Sequence, residues 1–130
     1  MVKVFKAFAV ATLFMFAQFA HAAEWYEGGT LHSANGLEWQ QASYENKLAT
    51  VGDFVSSLYN NKKFKSELQS EISKQGMNGL KSVSVLIVEN LDAAFEPVSD
   101  PEENRKLFTN QKVDQMTVMV MTVGGLLKAD

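Results

Sequence analysis

The sequence predicts a small all-α domain, a bundle of four or five helices with an irregular N-terminal arm. Two observations carry this. Apolar residues recur at spacings of three and four along most of the chain, the repeat of a helix with one buried face. Capping residues and glycines fall where those stretches begin and end.

Residues 1–22 stand apart from the rest. Lys3 and Lys6 form a short basic lead, 7–19 is apolar apart from Thr12 and Gln18, and Ala20-His21-Ala22 supplies the small-x-small pattern of a signal-peptidase site. The apolar stretch is shorter than the roughly 20 residues a bilayer-spanning helix needs. Residues 1–22 are therefore expected to be a signal peptide. That leaves one helical domain over 23–130, periplasmic or secreted, with no membrane span after processing.

The helices follow in order. Residues 23–33 hold Trp25, Tyr26 and the Gly28-Gly29 pair without a helical period, so they read as an arm containing a turn. Asn35 and Glu38 fit a capping box at the start of a short helix carrying Leu37, Trp39 and Ala42. Tyr44, Leu48, Val51, Val55 and Leu58 make one stripe of an amphipathic helix, widened by Phe54 and Tyr59 and ended by Asn60-Asn61. A third helix is predicted over Ser66–Gln75, with Ser66 and Gln69 as a cap pair, Leu68 and Ile72 inward, and Gly76 as its stop.

Segment 80–95 reads either way: Leu80, Val83, Ile87, Leu91 and Phe95 form a helical stripe, whereas 83–88 would also serve as a strand. Length favours the helix, ending before Pro97. Residues 97–104, with both prolines and clustered acids, read as a loop. A final helix is predicted over 110–123, with Val113, Met116, Val120 and Val123 toward the core and Gly124-Gly125 ending it.

Composition narrows the function classes. The chain has no cysteine, which excludes disulfide-stapled folds, thiol redox catalysis and thiolate metal sites. Its 12 Lys and Arg stand against 15 Asp and Glu, and loss of Lys3 and Lys6 leaves ten against fifteen, a net charge of −5. An acidic chain without a basic block is unsuited to nucleic acid, where phosphate neutralisation dominates affinity. Lys62, Lys63 and Lys65 around Phe64 read as a solvated loop.

No catalytic residue, metal or cofactor is assigned. His32, the sole histidine after processing, lacks the further nitrogen or sulfur ligands that zinc takes, and reads as a surface or hydrogen-bonded residue. A Ser-His-Asp set from Ser33 or Ser43, His32 and Asp53 has no nucleophile-elbow motif behind it. Glu38 and Glu45, seven residues apart, would share a face only if one helix spanned both; as acid and base they would suit glycan hydrolysis. Trp25, Tyr26 and Trp39 combine apolar area with a polar handle, suiting either a packed core or an interface. The stretch 116–127 is apolar nearly all round, and Met119 and Met121 are expected at a contact with a second chain or a ligand.

Trp25-Tyr26-Glu27-Gly28-Gly29-Thr30-Leu31-His32, then Glu38-Trp39, Asn46-Lys47-Leu48-Ala49-Thr50 and Asp53-Phe54, resembles a group of small exported bacterial proteins of unassigned activity. The resemblance covers about thirty residues plus the closing apolar helix, and implies a cysteine after the Leu-Ala-Thr and another in that helix. The corresponding positions here are Val51 and a residue near Val120, so this chain lacks that staple. Size, export and helical plan are also similar to the periplasmic acid-stress chaperones, which carry a disulfide.

The resulting expectation is an exported, non-enzymatic helical protein that binds another protein or a small apolar ligand, with a homodimer as one form of partner. The binding residues would be Trp25, Tyr26, His32, Trp39, Met119 and Met121. An acid-responsive holdase is the alternative: protonation of the carboxylates would carry the processed chain to a charge of about +12 and open the bundle by self-repulsion. A small glycan hydrolase is the distant one.

Overall fold

The helical part of the chain begins at Asn35, whose side chain accepts from the Glu38 N–H at 3.0 Å while Glu38 Oε1 accepts from the Asn35 N–H at 3.1 Å. That reciprocal cap starts α1 (Gly36–Gln41). The computed structural model describes residues 23–129, so the expected signal peptide lies outside the described residues. Beyond α1 come α2 (Tyr44–Asn60), α3 (Ser66–Gln75), α4 (Met77–Ala94), α5 (Pro101–Phe108) and α6 (Val113–Val123). The chain is mostly helical, and no strand occurs among the described residues. No helix among them is long and apolar enough to cross a membrane.

Local chemistry sets each boundary. Ser43 Oγ accepts from the Asn46 N–H to start α2, and breaks it from α1. The end of α2 is tied twice: the Lys62 N–H donates to the Tyr59 carbonyl and the Lys63 N–H to the Leu58 carbonyl. That closure holds Lys62 at φ +55°, the left-handed conformation usually given to glycine. Gly76, at φ +61°, separates α3 from α4. The segment 80–95 is helical, settling its ambiguity as length favoured.

Two local expectations are corrected. Ser66 and Gln69 form no cap pair: α3 starts after Lys65 without a side-chain cap, and Gln69 Nε2 donates instead to the Tyr59 carbonyl at 2.8 Å. The stretch 97–104 is not all loop. Asp100 caps α5 by accepting from the Glu102 N–H, Pro101 occupies the first turn where its missing N–H costs nothing, and acids lead while Arg105 and Lys106 close.

α4 is the central helix, packing against α2, α3 and α6, while α1 packs against α5. Its buried stripe is Val83, Ile87, Val88 and Leu91. Leu48, Val51 and Val55 meet the same core from α2, as their spacing predicts, although Tyr44 at the head of that stripe is exposed. Trp39, Phe95 and Phe108 close one end, with Phe95 packed edge-to-face on Phe108 at 6.0 Å.

Two antiparallel bridges fasten segments far apart in sequence. Asn35 pairs with Lys112: the Gly36 N–H reaches the Gln111 carbonyl and the Val113 N–H reaches the Ala34 carbonyl, both at 2.9 Å. Phe64, fully buried, pairs with Leu127.

α6 is rotated from its expected setting. Its buried residues are Val113, Thr117 and Met121; Met116 and Val120, expected in the core, are partly buried and pack against it, and Val123 is exposed. Thr117 explains the shift. Its hydroxyl donates to the Val113 carbonyl at 2.7 Å, so a polar side chain enters the core with its hydrogen bond made inside the helix. The core seam is turned toward Thr117 and Met121, with Met116 and Val120 left at its edge. Met121, expected at a contact, is fully buried core, and Val123, expected in the core, is exposed.

Candidate functional site

The setting of α6 puts Met116 and Val120 at the edge of the core and Val123 in solvent. Met116, Met119, Val120 and Val123 line one wall of a groove, and Leu86, Ile87 and Asn90 of α4 line the other. Gly124 and Leu126 close one end. The volume is about 320 Å³, at the small end of the range for ligand pockets. Leu86 is 48 % exposed, Met119 58 % and Val123 83 %.

The groove is uncharged: none of its nine lining residues ionises. Its one polar side chain is Asn90, whose Nδ2 already donates to the Leu86 carbonyl at 2.8 Å. Leu86 also borders a depression between α3 and α4, lined by Leu68, Ile72 and Val83 together with Glu71, Gln75 and Ser82. The groove between α4 and α6 can hold hydrocarbon and flexible thioethers; its lining offers no acid, base or nucleophile.

The aromatic arm is a fastening. Trp25 lies over Gly52 of α2, where a Cβ would stand 2.8 Å from its ring, and Tyr26 packs edge-on to Trp25 at 5.6 Å. The Thr30 N–H donates to Asn46 Oδ1, and Asn46 Nδ2 donates to Thr30 Oγ1, both at 2.8 Å. The Leu31 N–H donates to Thr50 Oγ1 at 3.1 Å. His32 Nε2 sits 2.7 Å from Asp53 Oδ2, and its ring packs edge-on to Phe54. The Gly-Gly-Thr-Leu-His run and the Asn-Lys-Leu-Ala-Thr run are thus two halves of one clasp.

Trp39 belongs elsewhere. It is buried at the far end of α1, its Nε1–H donating to Asp92 Oδ1 at 2.9 Å. Lys47 donates to the same oxygen at 2.8 Å and sits 5.2 Å from the Trp39 ring centroid. Trp25 and Tyr26 are therefore not gathered with Trp39 into one aromatic patch. Only Met119, of the six residues expected to bind, lines the groove.

The catalytic sets are placed as follows. His32 and Asp53 meet, but Ser43 Oγ caps α2, and no serine hydroxyl among the described residues bonds to the His32 ring. Glu38 is occupied by the α1 cap, and Glu45 lies beyond the helix break, lining a separate hollow beside the arm with Trp25 and Tyr44. No group of three or more His, Asp or Glu among the described residues converges on a possible metal.

Sequence reasoning missed Leu86, Asn90 and Leu126 as groove residues and placed Val123 in the core, whereas Met116 and Val120 both pack against the core, as expected, and line the groove. The surplus of apolar residues in 116–127 was the available signal. Comparison of the chain with protein-family models, curated proteins and solved structures gives no match.

Proposed function

We propose that this protein is an exported, non-catalytic binding protein that takes up an apolar surface in the groove between α4 and α6. One observation carries the reading: Leu86, Met119 and Val123 stand exposed around an uncharged cavity of about 320 Å³. Burying such side chains favours association by about 25 cal/mol per Å² of apolar area. Two methionines in the wall suit a surface that repacks against what it holds. An environment-sensitive apolar dye tests this in dilute, folded protein at neutral pH. Dye bound in the groove loses affinity about tenfold or more when Met119→Glu places a charge there. Unchanged binding to that variant overturns the reading.

A second reading, the acid-responsive holdase, is favoured by two contacts that aspartates make between segments: His32–Asp53 fastens the arm to α2 and Lys47–Asp92 joins α2 to α4. Aggregation of an acid-denatured client, with and without this protein, tests it; no suppression overturns it.

A further inference from the structure

We infer that the end of the molecule where Phe64 meets Leu127 is a docking surface for an anionic lipid bilayer. The four lysines that carry it lie outside the groove, and only Val123, at the border, belongs to both.

The bridge gathers lysines that lie far apart in sequence. The Lys65 N–H donates to the Leu126 carbonyl at 2.9 Å and the Lys128 N–H to the Lys63 carbonyl at 2.8 Å, so Lys63 stands directly opposite Lys128. Side chains alternate along paired extended chains, and the buried Phe64 takes the inner side. Lys63 and Lys65, with Lys128 opposite, therefore share the outer side, where all three are exposed. Lys62, also exposed, joins them from the turn that ends α2.

The fold makes no use of these charges. The ion pairs among the described residues are His32–Asp53 and Lys47–Asp92, and neither involves the four lysines. The carbonyls that end α2 are taken by backbone N–H groups and by Asn61 Nδ2. Like charges directly opposite one another weaken a bridge. Lys62 also holds a φ of +55°, which glycine would adopt at less cost. Four of the ten Lys and Arg left after processing thus gather at one end of a net acidic chain, with Glu67 the one acid in 62–67. An anionic partner offsets that repulsion.

An apolar side chain at the border selects a bilayer over a soluble polyanion. Lys65 Nζ lies 3.5 Å from the place a Cβ on Gly125 would take, and Val123, two residues earlier, is 83 % exposed. Lysines beside an exposed aliphatic side chain fit an interface of lipid phosphates over acyl chains. A polyanion in water gains nothing from Val123.

Co-sedimentation of residues 23–130, which hold the described core, with lipid vesicles tests this. The chain should bind vesicles of phosphatidylglycerol mixed with phosphatidylcholine, ignore phosphatidylcholine alone, and lose affinity as salt rises. Each lysine near an anionic surface is worth about fivefold, so Lys63→Gln with Lys128→Gln should weaken binding about tenfold or more. Lys74→Gln with Lys81→Gln, the same charge change on exposed side chains of α3 and α4, should change it by less than about twofold. Lys62→Gly should weaken binding about fivefold while raising the thermal midpoint, a combination that loss of folding does not produce. Val123→Ser should weaken it about threefold or more, and Val118→Ser, also exposed on α6, should not. No binding to the anionic vesicles, equal binding to neutral ones, or equal losses from the two lysine pairs overturns the inference. Dextran sulfate bound as tightly as the vesicles, with Val123→Ser changing neither, assigns the lysines to a soluble polyanion and overturns the bilayer.

Discussion

Gly29 lies against the backbone of Thr50 so closely that a Cβ at position 29 would stand 2.5 Å from the Thr50 nitrogen and 2.8 Å from its hydroxyl. The arm reaches α2 only because residue 29 has no side chain. The Thr50 hydroxyl, buried by that approach, is the acceptor for the Leu31 N–H. Gly29→Ala should therefore lift the arm at a cost of about 1–3 kcal/mol. Thr50→Val should cost about as much by leaving the Leu31 N–H unpaired. Chemical unfolding gives the magnitudes, and the double variant should cost less than the sum, because both changes break one clasp.

Lys47 is no bland surface residue, although its place opposite the Leu48 stripe reads that way. It bonds Asp92 and covers the Trp39 ring with its side chain mostly buried. Lys47→Ala should cost about 1–2 kcal/mol, combining a cation–π contact with a partly buried ion pair. Leu48→Ala, removing a buried side chain on the core face, should cost about 2–5 kcal/mol. Denaturant titration of both checks the order.

Lys62 invites a stabilising change. Its left-handed backbone carries a steric cost that glycine avoids, and its N–H bond to Tyr59 is kept by any residue except proline. Lys62→Gly should raise stability by about 0.5–1 kcal/mol, after the added flexibility of the unfolded chain is set against the relief. A shift of the thermal midpoint upward is the expected result.

Met121 and Met119 should part company when each is replaced by Glu. Met121 is fully buried, so a carboxylate there has no solvent and the domain should lose its cooperative unfolding transition. Met119 is exposed, and Met119→Glu should change stability by no more than about 0.5 kcal/mol. Circular dichroism melts of the two variants decide the register of α6.

The first four helices were legible because their signals are local. Asn35 and Glu38 are three residues apart, and the stripe from Leu48 to Val55 repeats within a single element. α5 was hidden because proline both breaks helices and starts them, and Pro101 starts one behind Asp100. α6 was found with its face misjudged, since Thr117 satisfies its hydroxyl within its own helix and so passes for a solvent residue in sequence. The groove itself joins Leu86 to Val123 across the packing of α4 on α6, and no periodicity along either segment encodes that meeting. The arm motif was visible as a pattern, but its role as a fastening needed the distances to Asn46, Thr50 and Asp53.

The bridge between Phe64 and Leu127 bears on how the chain matures during synthesis. The Lys65 N–H waits for the Leu126 carbonyl and the Lys63 carbonyl for the Lys128 N–H, partners made roughly sixty residues later. Until residues 126–128 leave the ribosome, the segment that holds Phe64 cannot make its bridge, although α2, α3 and α4 can already pack on one another. The nascent chain is thus held short of completion by a contact of long sequence separation. Removing residues 124–128 should accordingly strand the chain in that half-built state, attractive to chaperones and to proteases alike.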